Sequence, residues 1–353
     1  MHQPPTCTRE LSAWRLSRRE LSLWMLVIVF ALGMTVLVGW WHAATRPETR
    51  LSLPAQVAIP AGATAKEVAE LLEARGIIRN ALAFRIYASW QKVDGELKPG
   101  VYLFQPGESL SEILHQLVAG RVMEVEFTVP EGYTLKQIAH LLEAKGLVSQ
   151  EEFWQAAAKP YPYAFLDGVP RQPNYLEGFL FPDTYRVPLG TPAEIIIRRM
   201  LDRFQEVYNE VSRQRAPGLE LSTLEIVTLA SLVEKEAKLD AERPLIAGVF
   251  LNRLRRGMRL ESCATVEYLL PSPKPVLSYE DLEIDSPYNT YKVSGLPPGP
   301  IASPGKLSLL AALNPEPTDY LYFVARPDGS HEFSRTLEEH NAAARRYEVR
   351  PQS

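Results

Sequence analysis

Glu234, Lys235 and Glu236 stand in a row near the end of LSTLEIVTLASLVEKEAK, residues 221–238, an otherwise apolar stretch. Ser222 and Glu225 form an S-x-x-E capping box, which starts a helix there. On a 3.6-residue period Val227, Ala230, Glu234 and Ala237 share one narrow stripe, so a carboxylate falls in a lane of small apolar side chains. Such a lane leaves room for a substrate and desolvates the acid, the condition a general acid needs. Glu236 lies on a bulkier lane with Leu229, Leu232 and Leu239, while Lys235 and Lys238 face elsewhere. Glu177, in LEGFLFPD, is another acid among apolar residues and a candidate second carboxylate. From spacing alone, each glutamate also reads as an ordinary salt-bridged residue, the commoner use of such positions.

Other chemistries find less support. The six histidines are scattered without H-x-x-x-H spacing and no C-x-x-C occurs, so no metal site is expected. Neither G-x-G-x-x-G nor G-x-x-x-x-G-K-[ST] is present, which leaves nucleotide cofactors without a motif. Ser303 and Lys306 match S-x-x-K, and Ser231 and Lys235 are one helical turn apart, but the companion S-D-N and K-T-G elements are missing. Serine followed by proline is also how helices begin, so a cap at Ser303 is the simpler expectation. A net charge of −4 gives no hint of a nucleic-acid partner, which calls for a strongly basic domain.

The elements that must position these residues begin with Leu21 to Trp41, 21 residues without a charge. As a helix they span about 31 Å, close to the hydrocarbon thickness of a bilayer. Trp24, Trp40 and Trp41 sit near the ends, and Arg9, Arg15, Arg18 and Arg19 precede the run. The positive-inside rule then puts residues 1–20 in the cytoplasm and everything after the helix outside. The run is long for a signal peptide and lacks a clean A-x-A site, so an uncleaved anchor is expected. Cys7 and Cys263 would lie on opposite sides of the membrane and cannot pair.

After a linker over 42–55 comes an internal repeat. IPAGATAKEVAELLEARG (59–76) matches VPEGYTLKQIAHLLEAKG (129–146) at ten of eighteen positions, each reading as strand end, P-x-G turn, capped helix and glycine stop. QPGESLSEILHQLVAG (105–120) is a weaker third copy. These units resemble the LysM module, a small fold that binds N-acetylglucosamine-containing glycans. A repeat that merely spaces a second domain from the membrane fits the residues equally well. Helices at 192–214, 221–238 and about 244–256, a hairpin at 320–334 and a closing helix at 336–347 make the remainder α+β. The expected domains are therefore 56–150, the LysM-like module, and 151–347, the catalytic part.

Five segments occur in the order LEGFLFPDTY, LASLVEKEA, FLNRLRRGMRL, SPYNTYKVSGLPPGPIASPG and YLYFVA…GSHEFSRTLEEHN. Together they resemble the endolytic murein transglycosylase (YceG-like) family, over nearly the whole chain. The resemblance implies non-hydrolytic cleavage of the MurNAc–GlcNAc β-1,4 bond of peptidoglycan, leaving a 1,6-anhydro-MurNAc end, by a single-pass inner-membrane protein. It implies no cofactor, and cell-wall synthases as possible partners. The first glutamate of V-E-K-E, Glu234, is the implied catalytic residue. One carboxyl can suffice for such chemistry, because the sugar's own 6-hydroxyl replaces the water nucleophile. Glu177, Glu236, Thr265, Asn289 and Tyr291 are expected to support the substrate. Arg253, Arg255, Arg256 and Arg259 could meet acidic peptide stems or simply complement a helix C-terminus. ESCATV (261–266) departs from the family pattern by placing Glu261 for an amide and Ala264 for a proline. The rival reading is a glycan-binding scaffold with idle catalytic residues; a hydrolase that leaves reducing ends is a third.

Overall fold

The computed structural model describes residues 18–47, 52–272, 274 and 276–347. Residues 1–17, which include Cys7, and part of the expected linker lie outside the described residues. The chain divides into two compact units, 1–123 and 124–353.

The first unit opens with α1 (Arg18–Thr45). Its stretch Ser22–Thr45 is long and apolar enough to cross a membrane, and none of its most apolar window is buried against protein. Then follow β1 (Ala55–Ile59), α2 (Ala65–Ala74), α3 (Ala81–Trp90), β2 (Gly100–Phe104) and α4 (Leu110–Ala119). β1 and β2 pair antiparallel with Val57 opposite Tyr102. The capping boxes Thr64/Glu67 and Ser109/Glu112 both form. Each satisfies two backbone N–H groups at a helix start that would otherwise lack partners. The first and third repeat copies thus share one small core, in which Phe84, Tyr102, Phe104, Leu72 and Leu117 are fully buried.

The second unit contains β3 (Glu124–Thr128), α5 (Leu135–Ala144), α6 (Gln150–Ala157), β4 (Thr184–Pro188), α7 (Ala193–Val211), α8 (Thr223–Glu236), α9 (Arg243–Arg255), α10 (Cys263–Glu267), α11 (Tyr279–Leu282), α12 (Lys306–Leu313), β5 (Tyr322–Ala325), β6 (His331–Ser334) and α13 (Leu337–Arg346). The second repeat copy, β3 and α5, belongs here, although the sequence pattern groups it with a module ending at 150. The reason lies in its pairing. β3 joins β4 in an antiparallel ladder, where the Phe127 and Tyr185 rings stack at 5.5 Å and the Thr128 and Thr184 hydroxyls bond at 2.8 Å. The buried face of α5 (Leu135, Ile138, Ala139, Leu142) enters the same core as α7 and α8.

α8 lies at the centre of that core. All eight residues from Ile226 to Val233 are buried, and the helix packs against α9 and α12. Its capping box, Ser222 with Glu225, is present. Burial of each large apolar side chain contributes about 1.5–3 kcal/mol, so this helix is held almost rigidly along its length. α12 begins at Lys306 with Gly305 as its N-cap, two residues later than the cap expected at Ser303.

Gly178 pins the LEGFLFPDTY loop against α8. Its φ is +82°, and a Cβ there would lie 2.5 Å from Pro300 Cβ and 3.0 Å from Val227 Cγ1. Left-handed backbone and overpacking act in the same direction. Gly178→Ala is expected to lower unfolding free energy by about 2–4 kcal/mol, read by thermal or urea melts. A change below about 0.5 kcal/mol would show that the loop relaxes freely.

Candidate active site

Glu234 is in the last turn of α8, with its side chain 7% exposed. The carboxyl does not end among apolar groups, as the small-residue lane suggests. Oε1 is 3.2 Å from Arg243 Nη1, and Oε2 accepts a 2.9 Å hydrogen bond from the Gly305 N–H. Arg243, at the start of α9, is itself buried and donates to Asp240 Oδ1 (3.0 Å) and Ser308 Oγ (2.5 Å). The lane is occupied by the chain's own Pro/Gly loop. Pro300 packs beside Gly178 and Val227, the Ile301 N–H donates to Ser231 Oγ (3.1 Å), and Gly305 meets Glu234.

The turn of the second repeat copy lies over this end of α8. The Gly132 N–H donates to the Ser303 carbonyl (2.8 Å), and the Ser303 N–H donates to the Tyr133 carbonyl (2.7 Å). A Cβ at Gly132 would touch Glu234 Cγ at 3.8 Å and Lys235 Cδ at 3.7 Å. Glu131 then reaches across to Gly305, so closely that a Cβ there would sit 1.8 Å from its Oε1. Both carboxyl groups therefore border one glycine. Burial first, and the neighbouring Glu234 charge second, push the Glu131 carboxyl above its ordinary range; Arg243 opposes this and Asp240 adds to it. Sequence reasoning missed Glu131 and Arg243. The available signal for Glu131 was the repeat itself, which carries Ala61 at the matching turn position.

Beside this pair runs a groove of about 920 Å³, lined among others by Tyr133, Gln137, His140, Trp154, Lys235 and Tyr268. Aromatic faces and amide groups in one groove suit a sugar polymer, whose rings present apolar faces and polar rims. Glu177 lines the same groove from a buried position. Its Oε1 accepts from the Leu135 N–H (3.0 Å) at the start of α5, and its Oε2 accepts from the Tyr268 hydroxyl (3.2 Å). Asn174 Nδ2 in turn donates to that hydroxyl at 2.9 Å. The helix N-terminus favours a charge here, yet burial outweighs these donors and pushes the Glu177 carboxyl up to about 8.

The profile described as the YceG-like family matches residues 57–346. The chain belongs to the YceG-like family. A Bacillus subtilis protein named endolytic murein transglycosylase is 37% identical over 304 residues, covering 82% of this chain and 83% of that protein. A Streptococcus pneumoniae protein of the same name is 34% identical over 318 residues, covering 81% of this chain; the chain spans 57% of that relative's length. The crystal structure of a Listeria monocytogenes protein described as YceG-like aligns with a TM-score of 0.56 at 35% identity, over 82% of this chain and 99% of that one.

In this YceG-like chain the remaining expected site residues have structural partners. Asn289 is fully buried. Its Nδ2 donates to the Leu282 and Ile284 carbonyls (both 2.8 Å) and its Oδ1 accepts from the Tyr291 N–H (3.0 Å), so the amide braces its own loop instead of facing a substrate. Thr265 is also buried, donating to the Ser262 carbonyl (2.7 Å) and lying 2.9 Å from Thr290 Oγ1. Tyr291 places its hydroxyl 3.1 Å from the sulfur of the exposed Cys263 and lines a separate cavity of about 370 Å³ with Arg259 and Lys292. Glu236 accepts from the Ser262 hydroxyl, and burial pushes its carboxyl upward. Glu261, in left-handed backbone at φ +51°, points to Arg253 at 3.2 Å. Arg253 is buried and donates to the carbonyls of Leu321 (2.6 Å), Leu260 (2.9 Å) and Arg259 (3.0 Å); it is a scaffold residue, unlike the exposed Arg255, Arg256 and Arg259. Lys306 pairs with Glu210 at 2.7 Å, so the Ser303/Lys306 dyad does not form.

Glu177 makes stability pH-dependent in a definite direction. Its carboxyl loses a proton near 4.5 when unfolded and near 8 when folded. Between those values the unfolded chain has released a proton that the folded chain keeps, so stability falls as pH rises. Glu177→Gln is expected to remove this slope. The variant should be more stable than the parent near pH 8, by on the order of 1–3 kcal/mol, and indistinguishable from it near pH 4. Urea titrations at both pH values test this; an unchanged slope would place the Glu177 carboxyl in its ordinary range.

Proposed function

We propose that this chain is a membrane-anchored endolytic lytic transglycosylase, cutting MurNAc–GlcNAc β-1,4 bonds of nascent peptidoglycan strands and leaving 1,6-anhydro-MurNAc ends. The observation that carries the reading is Glu234. It is held at the end of a buried helix by Arg243 and the Gly305 N–H, next to an aromatic and amide-lined groove. Family membership and the names of the relatives agree with it.

Cleavage requires a proton at the bridging oxygen while the C1–O4 bond breaks. It also requires a base for the O6 hydroxyl, which closes on C1. In this reading Glu234 takes part in this proton traffic, and no water nucleophile is needed. A groove closed along one wall by the second repeat's helix binds the strand along its length, as cutting inside a chain demands. Glu177, below it, orders the start of that helix through the Leu135 N–H.

The finer assignments belong to the same reading. α1 is an uncleaved single-pass anchor in the cytoplasmic membrane, with the remainder on its outer side. The first unit is a LysM-like module, supported by its paired strand–turn–helix copies and a groove of about 880 Å³ bordered by Thr64, Leu82, Arg85 and Ile86. An anchored enzyme of this kind meets strands where cell-wall synthases extrude them, and those synthases are the partner class we propose.

Full-length protein in detergent, incubated with uncrosslinked glycan strands, tests the function by mass spectrometry of the ends. Anhydro ends are expected from the parent, with the rate reduced by about 10³-fold or more in Glu234→Gln. Reducing ends would make it a hydrolase. Strand binding without cleavage by either protein would make it a scaffold.

A further inference from the structure

Resting on that reading, we propose that Glu131 is the second carboxyl of the reaction: it holds the proton delivered to the leaving oxygen, while Glu234 accepts the proton of the attacking hydroxyl. The two tasks are separated by what surrounds each acid. Both oxygens of Glu234 face donors, a guanidinium N–H and a backbone N–H, and neither partner can accept a hydrogen in return. Delivering a proton from Glu234 would require breaking one of those contacts first. Glu131 makes no ion pair or hydrogen bond among the described residues, and its carboxyl rests against the bare Cα of Gly305.

The charged groups facing Glu131 come from three sides: Glu234 and Lys235 on α8, Asp240 on the turn that follows, and Arg243 on α9. Lys306 on α12 is committed to Glu210. A buried carboxyl this close to a second carboxylate is disfavoured as an anion, which raises the proton affinity of Glu131. Burial without a donor keeps the proton on Glu131, whereas both oxygens of Glu234 already face donors.

The repeat supplies an internal comparison. Gly62 and Gly132 occupy equivalent turns with φ of +77° and +76°, so both copies make the same P-x-G turn. The first copy makes it with Ala61, hence the turn does not require a glutamate. Only the copy that touches Gly305 carries Glu131, and two backbone hydrogen bonds between Gly132, Tyr133 and Ser303 fix it there.

In the step itself, the Glu131 proton passes to O4 as the C1–O4 bond breaks. O6 bonds to C1 and its proton passes to Glu234. The pair loses one proton and gains one, and transfer between the neighbours restores the starting state.

The test is the initial rate of anhydro-end formation from about pH 4 to about pH 9 by the full-length chain, Glu131→Gln, Glu131→Asp and Glu234→Gln, with strand binding and melting temperature measured alongside. Glu131→Gln is expected to lose about 10²–10⁴-fold in rate, to keep binding and melting temperature, and to lose the alkaline limb of the pH profile. Glu131→Asp should keep that limb at a displaced pH. If Glu131→Gln cleaves within a few-fold of the parent with the same alkaline limb, or loses strand binding in proportion to rate, the proposal is overturned. Should Glu131→Gln fail to fold, an unmoved alkaline limb in Glu131→Asp overturns it equally. A parent chain that forms no anhydro ends would instead overturn the function proposed above, and this inference with it.

Discussion

Because Gly305 has no side chain, two carboxyl groups can lie beside one backbone position. Its N–H serves Glu234, and the space where a Cβ would stand is taken by Glu131. A methyl group there would displace an acid held by its own loop, since an oxygen 1.8 Å from a carbon is far inside van der Waals contact. Everything that fixes the 299–305 loop therefore fixes the site. The loop is attached along one face of α8, first at Val227 through Pro300, which also packs on Gly178, then at Ser231 through Ile301, then at Glu234 through Gly305. Positions 227, 231 and 234 are four and three residues apart, the spacing that puts side chains on a common helix face.

That face accounts for the lane of small residues on α8. Small residues on α8 suggest vacant space for a substrate, whereas the space is filled by a Pro/Gly segment that runs over it. Composition along one helix cannot distinguish a ligand from another part of the chain, because both demand little bulk. The capping boxes, the helix extents and the hairpin were legible because they depend on residues within a few positions of each other. The boundary between the units was not, since it depends on which strand β3 selects as a partner. The segment at 184–188 lies some sixty residues away and bears no sequence mark of the pairing.

The same distinction separates the candidate site residues. Glu234 and Glu177 were found as acids inside apolar runs, and both are near the groove or its floor. Asn289 and Thr265 are expected at the site from motifs shared with the family, and their polar atoms are used within the loops that carry them. Buried amides and hydroxyls need partners wherever they sit, so polarity in a Pro/Gly-rich loop says little about a ligand. Arg243 gave no pattern at all, because its three partners lie on α8, on the preceding turn and on α12.

Pairing with β4 has a consequence beyond the domain boundary. The chain that enters β4 is LEGFLFPDTY, so the strand that captures β3 also brings Glu177 beneath the first N–H of α5. On the other side of the same copy, the P-x-G turn carries Glu131 to Gly305. The helix between them turns Gln137 and His140 toward the groove. A single strand–turn–helix unit thus contributes an acid, the donor that holds a second acid, and one wall. The first copy pairs with β2 and retains Ala61 in its turn. Two copies with nearly the same local fold therefore differ in chemistry through the strand each one joins and one residue in the turn.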